Sequence, residues 1–447
     1  MSKAETSDKS AAQGQSTNDA YAVLHNRDFL FYLIGRFVAN IGQQMFVMAV
    51  GWELYDRTGS ALALGLVGLT QVVPMILLTL PAGHTADNYN RKRVIVLMTL
   101  VIMFSCLGLT AVSAWADGAR SADHGTMSLW SAPVMLTYLC LIVSGAARTF
   151  MWAANASYLP SLVERKELPR AVNWNASTFQ MSSIIGPIIA GVVIRLAGHH
   201  AAPVYAANAL AALAFCLLIS QVRREHTVVT REPMTFKTLL TGFNFVFANK
   251  IIIGTITLDM FAVLLGGATS LLPVYAKEIL HVGPTGQGLL QAALPLGAVA
   301  CSFYLTHRPP LQKAGRAMLW AVAAFGLGTI AFGLSKWFWF SFLMLFLCGA
   351  VDNVSVVVRH TLVQLLTPDE KRGRVSAVNN LFIGTSNELG EFESGFIAYL
   401  FGPAIGLTKV AGTVISVVSG GVGTILVVAA IALIWPEIRK YGRLDGH

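Results

Sequence analysis

From Ala61 to Ala86 the chain runs without a single Asp, Glu, Lys or Arg, and it does so again from Val94 to Ala116. Uncharged stretches of this kind recur along most of the sequence, many near the ~20 residues that a helix needs to cross a bilayer. Only 12% of the residues are charged, against 55% hydrophobic; soluble domains carry about a quarter charged, so this chain lacks the charges to cover a soluble surface. With Gly, Pro and charge clusters as punctuation, twelve spans are expected, at about 30–55, 61–82, 94–116, 132–156, 170–195 and 203–222, then 251–275, 286–307, 317–336, 338–362, 375–401 and 408–435. The fold class is therefore an all-α polytopic membrane protein, with twelve transmembrane helices in two six-helix bundles.

The longest polar break, beginning RREHTVVTREP, sets the division. Residues 1–28 are expected to be a disordered cytoplasmic N-terminus, because they are polar and rich in Ser, Ala and Gln. No short apolar core and cleavage site follow a basic start, so they are not read as a signal peptide. Residues 29–222 form the first bundle, 223–250 a cytoplasmic linker, 251–436 the second bundle and 437–447 a cytoplasmic tail. Of the 32 Lys and Arg, only Arg57, Arg120, Arg195, Lys277, Lys336 and Lys409 fall outside when the N-terminus is placed inside; Arg36, Arg148 and Arg359 lie within spans. That bias is expected to place both termini on the cytoplasmic side of a cell membrane. It also accounts for the net charge of +9 without a nucleic-acid partner. The five cysteines lie in apolar stretches without CxxC spacing and read as small buried hydrophobes.

The halves resemble each other between their fourth and fifth spans. ERKELPRAVN (164–173) and EKRGRVSAVN (370–379) align without gaps, bringing Glu164, Ala171, Val172 and Asn173 onto Glu370, Ala377, Val378 and Asn379. Six spans plus six in parallel repeat is the plan of a large transporter class, whose substrate site lies near the midplane between the halves.

The loop between spans two and three reads GHTADNYNRKRV (83–94). It resembles the loop signature of the major facilitator superfamily, G-x-x-x-D-R-x-G-R-R/K. Gly83, Asp87, Arg91 and Lys92 match, while Asn88 and Asn90 replace an Arg and a Gly of the pattern. A small residue allows close helix approach, and a carboxylate here can pair with cations or cap a helix start. The resemblance implies a gating loop that stabilises the outward-facing state; a basic anchor alone is the alternative. Span five holds SSIIGPIIAG (182–191), similar to the antiporter motif of that superfamily. Gly186, Pro187 and Gly191 are retained, and Ser182 and Ala190 replace glycines. Small residues at this spacing let helices approach closely, which ordinary packing also uses; the resemblance points to export. NRDF (26–29), GWELYDRTGS (51–60), LPAG before the loop and TSNELGEFESG (385–395) resemble the siderophore (enterobactin) exporter-like branch, which also holds transporters of other cargo.

Charges inside spans point to the pathway. Each costs on the order of 2.5–3.5 kcal/mol on insertion scales, so it faces a cavity or a partner. They are Arg36 in span one, Arg148 in span four, Asp259 in span seven, and Asp352 and Arg359 in span ten. In the resembled fold these helices line the central cavity. Span eleven adds Glu388 and Glu391 on one face and Glu393 elsewhere. Asp259, Asp352, Glu388 and Glu391 are candidates for proton coupling; static pairing, for example of Arg359 with Glu388, is the alternative. Arg36, Arg148 and Arg359, with Asn40 and Gln44 as hydrogen-bonding neighbours, are candidates for a cationic substrate cavity, although Arg36 is also placed to snorkel.

There is no Walker-type G-x-x-x-x-G-K-[ST] loop, HExxH, CxxC pair or EF-hand pattern, so direct use of ATP, a cofactor or a metal is not expected. The expectation is a secondary active transporter, a proton-coupled exporter of a small amphipathic or anionic molecule such as a siderophore, acting by alternating access. Its partners are that substrate, protons and the lipid bilayer, and a monomer is expected. A multidrug efflux or uptake carrier of the same fold is the alternative, and a non-transporting membrane enzyme a remote one. Efflux of lipophilic cations calls for carboxylates rather than arginines in the cavity. An enzyme calls for a clustered nucleophile, metal or acid–base set.

Overall fold

A computed structural model describes residues 21–120, 126–223, 243–309, 312–368 and 371–442. Most of the segment read as disordered, most of the linker and the last residues of the tail lie outside the described residues. The described end of the N-terminal segment departs from the expectation of disorder. Ala22–His25 form a 3-10 turn with Val23 fully buried. Asn26 accepts the backbone N–H groups of Asp28 and Phe29, and its amide donates to the carbonyl of Leu162. An apolar anchor and an N-cap hold this stretch to the bundle.

Twelve long helices follow among the described residues: α1 (Arg27–Thr58), α2 (Ala61–Asn88), α3 (Arg91–Arg120), α4 (Ala132–Leu162), α5 (Leu168–Leu196) and α6 (Ala202–Ser220), then α7 (Lys250–Ile279), α8 (Gly283–Thr306), α9 (Ala314–Gly333), α10 (Phe338–Leu366), α11 (Arg372–Leu400) and α12 (Lys409–Ile434). Eleven are long and apolar enough to cross a membrane. The other is α11, whose 29 residues include Glu388, Glu391 and Glu393. The ends follow local chemistry. Gly59 closes α1 at φ +57°, a left-handed position that suits glycine, and Asn249 and Thr408 cap α7 and α12. The regular part of α7 stops at Gly266; a 3-10 turn and a π-turn over Tyr275–Ile279 carry it onward.

Helix pairing repeats between the halves. α1 packs on α5 and α6, α2 on α4, and α3 on α4 and α6; six helices later, α7 packs on α11 and α12, α8 on α10, and α9 on α10 and α12. The contacts between halves, α2 with α11 and α5 with α8, exchange under the same six-helix shift. A two-fold arrangement of two similar bundles has this property.

The buried apolar residues show where the bundles meet. At the end away from the termini a single core joins both halves, with Phe46, Tyr205 and Ile194 of the first beside Leu271, Tyr275 and Leu290 of the second. At the terminus-bearing end the cores are separate. Phe29, Tyr158 and Phe215 belong to the first half; Leu258, Met318 and Leu362, and next to them Ile252, Val363 and Val378, belong to the second. The molecule is thus closed at one end, with its cavities between midplane and the other.

Candidate substrate cavity

A cavity of about 540 Å³ lies on the first half and reaches across to α11. Arg36, Asn40 and Gln43 of α1 face it together, as spacings of four and three residues on a helix require. Three of their nitrogens, Arg36 Nε, Asn40 Nδ2 and Gln43 Nε2, are buried without a hydrogen-bond partner. Buried donors are costly when left unmet, and these three have no acceptor among the described residues. Arg148 enters from α4, its Nη1 donating to Gln71 Oε1 at 3.4 Å. Gly145 makes room for this contact: a Cβ there would stand 2.9 Å from the same oxygen. Glu388 and Asn387 form the wall contributed by α11.

A second cavity of about 160 Å³ lies within the other half, lined by Asp259, Asp352, Ser355, Asn387 and Glu391 among others. Asn387 belongs to both walls. Glu388 and Glu391 thus look into different cavities. Asp352 and Arg359, seven residues apart on α10, fall on one helical face by spacing alone. Asp352 lines this second cavity, but the guanidinium of Arg359 is drawn into an ion pair with Asp259 instead, the two residues being 4% and 8% exposed. Arg359 therefore does not line the large cavity with Arg36 and Arg148, and its ion-pair partner is Asp259 rather than Glu388. Gln44 also turns away, donating from Nε2 to Ser183 Oγ at 2.9 Å between α1 and α5; Gln43 takes its place.

The loop signature sits at the terminus-bearing end. Gly83 and Asp87 are the last turns of α2, and Arg91 opens α3. Arg91 donates to the carbonyls of Ala86 and Ser157, and Lys92 to those of Ser220 and Val222. These cations thereby meet the carbonyl ends of α2, α4 and α6, where a positive charge complements the helix dipole. The span-five motif serves two interfaces. A Cβ on Gly186 would stand 2.5 Å from Gln44 Cβ of α1, whereas one on Gly191 would stand 2.5 Å from the carbonyl oxygen of Pro284 in the opposite half. The contact is reciprocal, since a Cβ on Gly288 would stand 2.2 Å from the carbonyl oxygen of Pro187. Ser182 is fully buried and donates to the carbonyl of Thr178.

One cluster escaped the sequence reading. Arg57, counted there as a loop cation, lies in the last turn of α1 at 4% exposure. It pairs with Glu53 and with Asp117 of α3, while Ser113 and Tyr205 donate to the two oxygens of Glu53. His200 contacts the other oxygen of Asp117. The spacing of Glu53 and Arg57 by four residues near the end of an apolar span was the available signal.

Comparison with known proteins agrees with this architecture. Residues 32–391 match the family model described as Major Facilitator Superfamily. Curated relatives include the enterobactin exporter EntS of Citrobacter koseri and that of Salmonella choleraesuis, each 24% identical over 92% of this chain and 93% of the relative. Among solved structures, a bacterial homologue of the lysosomal transporter Spinster, in its inward-facing unoccupied conformation, gives a TM-score of 0.68 at 13% identity, covering 94% of this chain and 98% of that one. A bacterial homologue of the iron transporter ferroportin gives 0.68 in its inward-facing state, at 17% identity over 90% of this chain and 99% of that one. Its outward-facing state gives 0.61, at 17% identity over 92% and 99%. With twelve helices paired in two repeats, one closed end and a family match over most of its length, the chain is a membrane transporter of the Major Facilitator Superfamily and not an enzyme.

Proposed function

We propose that this transporter exports a small amphipathic anion, of the size and chemistry of a catecholate or carboxylate siderophore, against inward movement of protons. The observation that carries the reading is the large cavity, where Arg36, Arg148 and the unpartnered donors of Asn40 and Gln43 converge. Carboxylates and catecholates supply acceptors for those donors and a charge opposite to the two arginines, which outnumber the one carboxylate of the cavity wall, Glu388. The enterobactin exporters to which the chain is similar have a cargo of this class in their name.

In this reading both termini are cytoplasmic in a bacterial inner membrane, by the distribution of Lys and Arg. The conformation described is then the inward-facing one, ready to load from the cytoplasm. Cargo bridges Arg36 and Arg148 on one half to the α11 wall on the other, and the bundles then close around it. Glu388, Glu391, Asp352 and Asp259 are the acidic groups near this path, and one or more of them carries the proton. Asp87, Arg91 and Lys92 act in the opposite state, when the terminus-bearing ends come together.

The test is flux in proteoliposomes, with a catecholate siderophore and a lipophilic cationic dye, with and without an imposed pH gradient. Gradient-dependent movement of the anion, lost in Arg148→Gln, is the expected result. Movement of the dye alone, unaffected by that substitution, overturns the reading in favour of multidrug efflux.

A further inference from the structure

Beside the arginine cavity lies an apolar crevice of about 560 Å³ between α2, α7 and α11. Ile76 and Leu80 of α2, Met260 and Leu264 of α7, and Leu381 and Phe382 of α11 are its principal walls. The two spaces share two helices. On α2, Met75 faces the arginine cavity and Ile76 the crevice; on α11, Gly384 and Glu388 face the cavity, and Thr385 and Leu389 the crevice. The partition between them is thin. A Cβ on Gly384 would stand 3.0 Å from Met75 Sδ, so a residue without a side chain meets the end of a flexible one. Methionine adopts many rotamers at small cost, so this part of the partition is free to move.

We infer that cavity and crevice form one bipartite site for an amphipathic anion, its acidic head on Arg36 and Arg148 and its apolar chain or ring passing Met75 and Gly384 into the crevice. The inference rests on the anion reading above and adds the second half of the ligand. Charge complementarity fixes the orientation. Of the residues that line the two spaces, those with a buried donor lacking a partner among the described residues are Arg36, Asn40 and Gln43, all on the cavity side, whereas the crevice offers only the hydroxyls of Thr79, Thr385 and Ser386 among apolar side chains. Of these, Thr79 and Ser386 already donate to carbonyls of their own helices. A head group therefore has its partners on one side of the partition, and a hydrocarbon has its partners on the other. Ile76 is 51% exposed, so the crevice is open and a hydrocarbon chain can contact its wall.

The experiment is equilibrium binding of N-acylglycines, from acetyl to decanoyl, to the purified full chain in nanodiscs. These probes keep one carboxylate and vary only the chain. Affinity is expected to rise by roughly three- to fourfold per methylene beyond the first few carbons. Leu264→Trp and Thr385→Trp fill the crevice from two different helices, and Gly384→Leu blocks the partition. Each flattens the dependence on chain length. The Cβ of Gly384→Leu meets only the movable end of Met75, so this variant decides the matter if the tryptophan variants do not fold. Arg148→Gln instead lowers affinity for every probe by a common factor, on the order of tenfold, and leaves the slope. Slopes equal to wild type in the blocked variants overturn the inference and assign the crevice to bilayer lipid. Affinities unmoved by Arg148→Gln overturn the anion reading, while the slope still reports on the crevice.

Discussion

Lys277 Nζ donates to Asp56 Oδ1 at 2.5 Å, joining the last turns of α7 and α1 across the boundary between the bundles. Next to it, Tyr55 donates to Glu278. The contact exists only while this end is closed. Its partners are 24% and 35% exposed on their side chains, so solvent screens the pair and it contributes about 0.2–1 kcal/mol. Lys277→Met should therefore shift the closed-to-open ratio at this end by a few-fold toward open. Spin labels on α5 and α8, read by pulsed dipolar spectroscopy, should show more of the longer distance. The exchange Asp56→Lys with Lys277→Asp should restore the original distribution.

The close approach of Gly288 to Pro187 should tolerate no side chain. Its ideal Cβ falls 2.2 Å from a backbone oxygen, which cannot rotate away. Gly288→Val should keep α5 and α8 apart and reduce transport by more than tenfold, with a cysteine at Thr285 becoming open to membrane-impermeant maleimide. Gly373→Ala, whose Cβ meets nothing within 4 Å, should behave as wild type. Normal flux in Gly288→Val would sink the claim that this seam must close during the cycle.

Asp259 and Arg359 should show the asymmetry of a buried ion pair. Asp259→Asn leaves an uncompensated guanidinium inside the second bundle and should cost about 3–5 kcal/mol. Thermal unfolding in detergent should fall markedly for that variant. The double replacement Asp259→Leu with Arg359→Met should recover most of the loss, since an apolar pair needs no compensation. Equal destabilisation by the double variant would mean the two side chains do not act as a pair.

Among the acidic groups of the two cavities, replacement with the neutral amide should separate coupling from binding. Glu388→Gln, Glu391→Gln and Asp352→Asn, tested singly, should include at least one variant that still exchanges cargo across equal concentrations but no longer responds to a pH gradient. A proton carrier fixed in the neutral form gives that signature. If every variant keeps its gradient response, coupling lies elsewhere in the chain.

Asp87 is predicted to act at the terminus-bearing end when that end closes. Asp87→Asn should lower transport several-fold while folded protein remains in the membrane, as judged by gel filtration. Unchanged flux would remove Asp87 from the gating assignment.

The residues that made the fold legible are those whose meaning is local. Apolar length alone marks eleven of the twelve long helices, and a helix period places Arg36 and Asn40 on one face of α1 without deciding between Gln43 and Gln44, of which Gln43 faces the cavity. The extended polar N-terminus misled at its end, where Val23 is buried and Asn26 caps α1; burial depends on α4 and α6, which are remote in the chain. Arg57 misled for the same reason, because Glu53 and Asp117 are brought to it by the crossing of α1 and α3.

By itself, then, the sequence determined that the chain is a membrane-spanning helical transporter built from two repeats, and which side chains carry charge into the membrane. Only the tertiary structure decided how those charges are shared: Arg36 and Arg148 left to line a cavity, Arg359 taken up by Asp259, Glu388 and Glu391 sent to different walls. The reason is geometric. Residue spacing fixes directions around one helix axis, whereas a partner depends on how neighbouring helices are rotated and how closely they pack. That is set jointly by glycines such as Gly145, Gly191 and Gly288 and the surfaces that they meet.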